Sequence, residues 1–341
     1  MNSVVPALNR TTPWISMMLG VALLVSGQPA SAQLAPGSLE VKWSEGAEHC
    51  EAGPPQAPIQ VHQYNAQTFV LRESLCATFE APFIYLLLGS SKALLIDTGA
   101  VEDPKEMPLA DTVIGLLPMV GASKMPLLVL HTHRHLDHRA GDPQFANLPG
   151  VQVVPAFLED VRKHFSFKSW PEGLAQVELG DRTIDVIPTP GHDPAHVAFY
   201  DRNTGLFFSG DLLLPGRLLV DDSDEYLASA QRAADFVRIR PITHVLGAHI
   251  EMNREEELFP WQSTYHPHER ALPLAKDDLL SLPETLRSFN GFYTKHGKWV
   301  LTNPNRQLMV VGAGALLLLV ALARLVWWYF RRRRATRAPV M

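Results

Sequence analysis

Thr132-His133-Arg134-His135-Leu136-Asp137-His138 is the densest group of metal-ligand side chains in this sequence. His133 and His135 are two residues apart, so on an extended segment their rings point to the same side. A turn after Leu136 would let Asp137 and His138 face a second point close by. Imidazoles together with a carboxylate suit zinc, and also iron or manganese. A histidine-rich surface loop would share this composition. Three further segments argue against it: Pro190-Gly191-His192, Ser209-Gly210-Asp211 and Gly247-Ala248-His249. Each sets a ligand type behind a small residue where an apolar run ends, as a strand end would present it.

Those ligands need strands to hold them. Leu127–Leu130 is a continuous apolar run that reads as a buried strand leading into His131. Further strands are expected at Phe83–Leu88, Ala93–Ile96, Val151–Val154, Gln176–Leu179, Thr183–Ile187, His196–Tyr200 and Leu206–Phe208. Helices are expected at Pro108–Val120, Ala156–Phe165, Ser223–Arg238 and Lys276–Asn290, the third with Ser223 as its N-cap. This mixture implies an α/β layered domain, with no internal repeat.

Thr-His-x-His-x-Asp-His, then Pro-Gly-His, Gly-Asp and a last His, taken in that order, resemble the metal motifs of the metallo-β-lactamase superfamily. Leu95-Ile96-Asp97-Thr98-Gly99 resembles that family's first motif, in which the aspartate is structural and orients the metal loop. The resemblance spans roughly residues 60–250 and implies a four-layer αβ/βα sandwich with two divalent metals at one edge. Carried onto this sequence, His133, His135 and His192 would hold one ion. Asp137, His138 and His249 would hold the other, and Asp211 would bridge them. The paired ions, zinc by first expectation, would acidify a bridging water to hydroxide, with Asp137 orienting it and shuttling its proton.

The fold alone does not name a substrate. Zinc β-lactamases usually carry Cys or Ser where Asp211 stands, and flavodiiron proteins carry Glu at the position of His135. Only 37 residues separate Asp211 from His249, too few for the inserted domain of the RNA-cleaving branch. The pattern is shared by glyoxalase-II-like thioesterases, lactonases and esterases, so hydrolysis of an ester, thioester or lactone is expected. β-Lactam or phosphodiester hydrolysis is the alternative, and a non-catalytic metal-binding membrane protein is the reading from another class. Of the other histidines, His131 and His196 read as packing or ligand-supporting residues and His244 as core. Tyr265 and His266, with His268, could line a substrate pocket.

The chain has 341 residues, is 46% apolar and 19% charged, and carries a net charge of −5. That describes a globular protein, and no basic stripe runs through its middle to suggest nucleic acid. Both ends are specialised. The apolar run Ile15–Val25 follows Arg10 and precedes Ala30-Ser31-Ala32, the pattern of a signal peptide over residues 1–32. Residues 33–60 read as an irregular lead-in and 61–300 as the catalytic domain with a Pro-rich extension. Leu308–Phe330 is apolar except for Arg324 and would reach roughly 34 Å, so 307–330 is expected to span a membrane. Trp327, Trp328 and Tyr329 match an interfacial belt, and the basic tail 331–341 matches the positive-inside rule. The expected location is a single-pass inner-membrane protein with its catalytic domain in the periplasm, acting on a small molecule. Cys50 and Cys76 are the only cysteines. An oxidising compartment permits them to pair, and the spacing leaves both a disulfide and two free thiols open.

Overall fold

The computed structural model describes residues 1–4, 33–52 and 56–335. Two compact units divide the chain, Met1–Gln33 and Leu34–Met341, and the second holds every element named below. The expected signal segment lies outside the described residues except for residues 1–4, as does the last part of the basic tail, residues 336–341.

Ile59–Asn65 (β1), Thr68–Glu73 (β2), Phe83–Leu88 (β3) and Ala93–Ile96 (β4) form an antiparallel ladder. Leu109–Leu116 (α1) follows, shorter than the helix expected to Val120. Pro118 disfavours helical backbone in the residue before it, and Leu117 is extended (φ −69°, ψ 134°). Met119–Val120 (β5) then folds back on Ser123–Lys124 (β6). Leu127–Leu130 (β7) runs parallel to β4. Two single turns, Leu136–Arg139 (α2) and Asp142–Phe145 (α3), lead to Val151–Val153 (β8), parallel to β7. The first sheet has the order β1-β2-β3-β4-β7-β8.

After Leu158–Phe165 (α4), the strands Ala175–Glu178 (β9), Thr183–Pro188 (β10), Val197–Asp201 (β11) and Leu206–Gly210 (β12) meander antiparallel. Gly216–Leu219 (β13) leaves this sheet, and Ser223–Arg238 (α5) crosses over it. The cap of α5 is Asp222 rather than Ser223. Its carboxylate accepts the N–H groups of Asp224 and Glu225, each at 3.0 Å. His244–Gly247 (β14) returns parallel to β12, and Pro273–Leu274 (β15) closes the second sheet as β15-β14-β12-β11-β10-β9.

The extension is more ordered than its proline content suggested. Lys276–Arg287 (α6) is followed by a hairpin, Tyr293–His296 (β16) and Trp299–Thr302 (β17), and by the long helix Pro304–Ala335 (α7). β17 also pairs in parallel with β13, giving a small sheet β13-β17-β16. Pro304–Arg332 of α7 is 29 residues long, and its most apolar 18-residue stretch has a mean hydropathy of 2.4 and is wholly exposed. Among the described residues it is the one helix long and apolar enough to cross a membrane.

The inner strands β3, β4, β7, β11 and β12 are buried on both faces, which explains why they read as continuous apolar runs, whereas the edge strand β9 alternates. Between the sheets, Tyr85, Ile96 and Leu130 meet Val186, Phe199 and Phe208. The lead-in adds Trp43 to this core. Leu109 and Val113 of α1 cover the far side of the first sheet, over Leu86 and Val129. Tyr226 and Ala233 of α5, with Leu282 of α6, cover the second, over Phe207 and Val245. Cys50 and Cys76 form a disulfide, so the two-thiol alternative falls away.

Candidate metal centre

The strand directions collect the ligands. β4 and β7 are parallel and end next to Asp97 and the Thr132–His138 segment. In the second sheet β10, β12 and β14 all point one way, and just past their ends stand His192, Asp211 and His249. Two glycines make the approach possible. Gly191 sits at φ +128°, and a Cβ there would lie 2.4 Å from the Tyr226 backbone. Gly210 sits at φ +52°, where a Cβ would press on His196 and Thr132 at 2.8 Å. Only glycine adopts such backbone freely.

Two donor groups result: His133, His135 and His192, and Asp137, His138, Asp211 and His249, each with ligand atoms within 4.8 Å of one another. In the first group His133 Nε2 lies 2.9 Å from His135 Nδ1 and 3.2 Å from His192 Nε2, and the last two nitrogens are 3.1 Å apart. Three ring nitrogens forming such a triangle cannot all hydrogen-bond one another. A tetrahedral cation holding each nitrogen at about 2.0–2.1 Å would separate them by roughly 3.3 Å. The triangle fits that geometry closely.

Asp211 stands between the groups. Its Oδ2 lies 3.3 Å from His192 Nε2 and 3.6 Å from His138 Nε2, while Oδ1 lies 3.7 Å from His249 Nε2. Asp137 Oδ2 closes the second group at 3.2 Å from His138 Nε2 and 3.3 Å from His249 Nε2. His138 Nε2 and Asp211 Oδ1 are buried without any hydrogen-bond partner. Buried polar atoms are rarely left so, and two unpartnered atoms within one cluster of ligand-type side chains fit a bound cation there.

Except at His135, the remaining ring nitrogens meet oxygens, the arrangement that orients ligating imidazoles. His138 Nδ1 donates to Asp97 Oδ2 (3.0 Å), His192 Nδ1 to the Leu219 carbonyl (3.0 Å), and His249 Nδ1 to the Glu80 carbonyl (2.8 Å). His133 Nδ1 is 3.1 Å from the Thr132 hydroxyl. Asp97 also accepts the Thr132 N–H (2.7 Å) and hydroxyl (2.9 Å), and its own backbone is left-handed at φ +68°. It therefore ties β4 to the start of the metal loop.

The electrostatics divide by neighbour. Burial and the surrounding imidazoles hold His133 well below the ordinary histidine range. Burial opposes charge on His249 too, but Asp211 and Asp137 outweigh it and push its pKa up to about 10. The same carboxylates and Asp97 outweigh burial at His138 and raise it well above the usual value. In return, against its own burial, Asp211 is held below the carboxylate range, His138 and His249 being the main causes. The site concentrates negative charge where two cations would share it.

A cavity of about 200 Å³ opens on the cluster, walled beyond the ligands by Leu214, Arg217, Leu219, Glu251 and Trp261. His266 is not on that wall. It lines a narrow cleft alongside, stacked on Phe259 at 4.0 Å and donating to Glu269. Tyr265 lines neither space. Its backbone pairs with Gly46, and its carbonyl accepts the Ser263 hydroxyl.

The model of the metallo-β-lactamase superfamily matches residues 77–249. The chain belongs to that superfamily. It is 29% identical over 215 residues to the acyl-coenzyme A thioesterase MBLAC2 of Gallus gallus, covering 53% of this chain and 77% of that protein. It is 27% identical over 160 residues to the hydroxyacylglutathione hydrolase of Aeromonas hydrophila, covering 46% of this chain and 57% of that one. Among solved structures it is similar to the metallo-β-lactamase from Pontibacter korlensis, at 20% identity and a TM-score of 0.45, covering 66% of this chain and 99% of the other. The superfamily relatives found by sequence are hydrolases, and this member carries a possible metal site built from histidine and aspartate.

Several contributors to the superfamily site had no signal in the sequence. The carbonyls of Glu80 and Leu219 orient two ligands, and Arg217, Glu251 and Trp261 shape the cavity. His196 is fully buried, accepts the Asp211 N–H through Nε2 (3.2 Å) and donates through Nδ1 to the Thr189 hydroxyl (2.7 Å). His131 bonds the Val154 carbonyl and Asp142 outside the cluster. His244 is half-buried at the start of β14, not a core residue.

Proposed function

We propose that this chain is a dinuclear metal-dependent hydrolase, with zinc as the expected metal, acting on an acyl ester, thioester or lactone. The observation that carries this reading is Asp211, whose two oxygens face two separate donor groups. Two divalent cations, when bound, supply Lewis acidity and an acidified water, and a shared carboxylate offsets their repulsion. His133, His135 and His192 would hold one, Asp137, His138 and His249 the other, and Asp211 both. The layered packing of helices on the two sheets is read as the four-layer sandwich of the superfamily.

The protein's own groups then divide the work. Asp137 has the more exposed carboxylate of the two acids, 22% against 12% for Asp211, so it is the one that can exchange a proton with solvent or a leaving group. Asp97, Thr132 and the Glu80 and Leu219 carbonyls hold the imidazole rings in register. Among the substrate classes a thioester is favoured, because two relatives are named for acyl groups carried on thiols.

The same reading places the chain in a membrane. The apolar part of α7 would span it, and the arginines from Arg331 onward would face the cytoplasm by the positive-inside rule, leaving the catalytic domain on the other side. The disulfide is compatible with an oxidising compartment. Metal-loaded full-length protein tested against thioesters, esters, lactones, β-lactams and phosphodiesters should hydrolyse a thioester fastest. Turnover confined to β-lactams or phosphodiesters would overturn the acyl-hydrolase reading.

A further inference from the structure

The base of α7 is locked to the strands that build the metal site. Asn303 is buried, donates from Nδ2 to the Val220 carbonyl (2.6 Å) and caps α7 by accepting the Arg306 N–H (2.9 Å). Gln307 donates to Thr302 Oγ1 (3.0 Å) and to the Phe292 carbonyl (2.7 Å). Thr302 is the register partner of Leu219 in the β13–β17 pair, and the Leu219 carbonyl holds His192. From the first turn of α7 to a metal ligand there are thus only two strands. At about 4.8 Å per strand spacing, the cavity wall formed by β13 lies on the order of 10 Å from the helix base.

The apolar run of α7 starts at Leu308, one residue beyond Gln307. Phe292 and Tyr293, bound through the Phe292 carbonyl to Gln307, stand at that same level and are 43% and 48% exposed. Lys295 and Arg306 are exposed beside them. Aromatic rings and cations at the start of an apolar span are the residues that settle among lipid headgroups. The cavity itself, at about 200 Å³, is smaller than the roughly 300–1,000 Å³ that encloses a whole small-molecule ligand. That is room for a reacting group rather than for a whole long-chain substrate, and Trp261, which is 59% exposed, stands on its rim.

Building on the hydrolase and membrane-span reading above, we propose that the substrate is an acyl amphiphile resident in the lipid leaflet. The Phe292–Tyr293 end of the β16–β17 hairpin seats on the bilayer, and the acyl head group enters the cavity while its chain stays in lipid. Hydrolysis breaks the bond between the acyl carbon and its thiol or alcohol. The oxygen of water becomes part of the carboxylate, and the leaving group takes up a proton.

The test uses the full-length protein in vesicles of phosphatidylcholine and phosphatidylglycerol, with a soluble butanoyl thioester and a vesicle-borne hexadecanoyl thioester. The combined substitution Phe292→Ser with Tyr293→Ser should lower kcat/KM on the hexadecanoyl substrate about tenfold. It should leave the butanoyl rate within about twofold. Equal effects on both substrates, or none, overturn the proposal. Because Cys50 and Cys76 are paired, Tyr293→Cys offers a single thiol for a nitroxide label. Faster relaxation by oxygen than by a water-soluble nickel chelate places residue 293 in lipid, and the reverse order overturns the seat whatever the activity. Hydrolysis of neither thioester, nor of the corresponding butanoyl and hexadecanoyl oxygen esters and a lactone, by fully metal-loaded wild type overturns the hydrolase reading itself, and the substrate assignment with it.

Discussion

Asp97 Oδ2 lies 3.0 Å from His138 Nδ1, and both side chains are fully buried. One carboxylate thereby fixes the tautomer of a candidate ligand forty-one residues away and also accepts the Thr132 N–H and hydroxyl that open the His133–His138 segment. Asp97→Asn keeps the shape and removes the acceptor charge. Its expected effect is a 10–100-fold weaker affinity at the Asp137–His138–His249 site, with the His133–His135–His192 site nearly unchanged. Competitive titration with a chromophoric chelator measures both affinities. Equal losses at the two sites would show that Asp97 supports the fold generally.

Asp137→Asn tests the proton-transfer role. At saturating metal it should cut turnover by roughly 10²-fold, the scale of a lost general acid or base. Wild-type activity should rise with pH through one ionisation near about pH 7 to a plateau, as expected when cations acidify water. Near-normal turnover in the variant with both ions bound would assign the proton to another group.

Much of this site was legible in the sequence, because four candidate ligands crowd into the segment His133–His138 and His192, Asp211 and His249 each follow a small residue at the end of an apolar run. All seven ligand candidates meet in two adjoining groups. What could not be read comes from main-chain atoms and distant pairings. The Glu80 carbonyl meets His249 across 169 residues and has no side-chain signature. β13 and β17 are short strands of the small third sheet, separated in sequence by α5, β14, β15, α6 and β16, and nothing in either run announces its partner. The end of α1 was legible in principle, since Pro118 marks it, although the apolar residues Met119 and Val120 continue past the proline.

Glu73 gives a pH signature of stability. Burial pushes its carboxyl from 4.5 up to about 8, although the Ala100 N–H donates to it at 3.0 Å. A raised folded-state pKa means a stabilising contribution that is complete below about pH 4.5 and is lost as pH climbs toward 8. Glu73→Gln removes that dependence. At constant metal loading, the Tm of the variant minus that of the wild type should therefore grow more positive across this range. A difference that stays flat in calorimetry from pH 4.5 to 8 would contradict it.

The disulfide closes a loop across 26 residues that also carries Glu73. By the loop-entropy relation, removing it costs about 3.5 kcal/mol. Replacing both Cys50 and Cys76 by Ser should lower the denaturant midpoint accordingly, while the His133–His135–His192 group, which lies outside the loop, keeps its metal affinity. An unchanged midpoint would assign the bond no stabilising role.

Two cations sharing Asp211 can be counted directly. Elemental analysis of metal-saturated full-length protein should give two ions per chain. Asp211→Ala should weaken both, whereas His249→Ala should weaken chiefly one. A wild-type protein that saturates at a single ion, or an Asp211→Ala variant that still holds two as tightly, would contradict the dinuclear account.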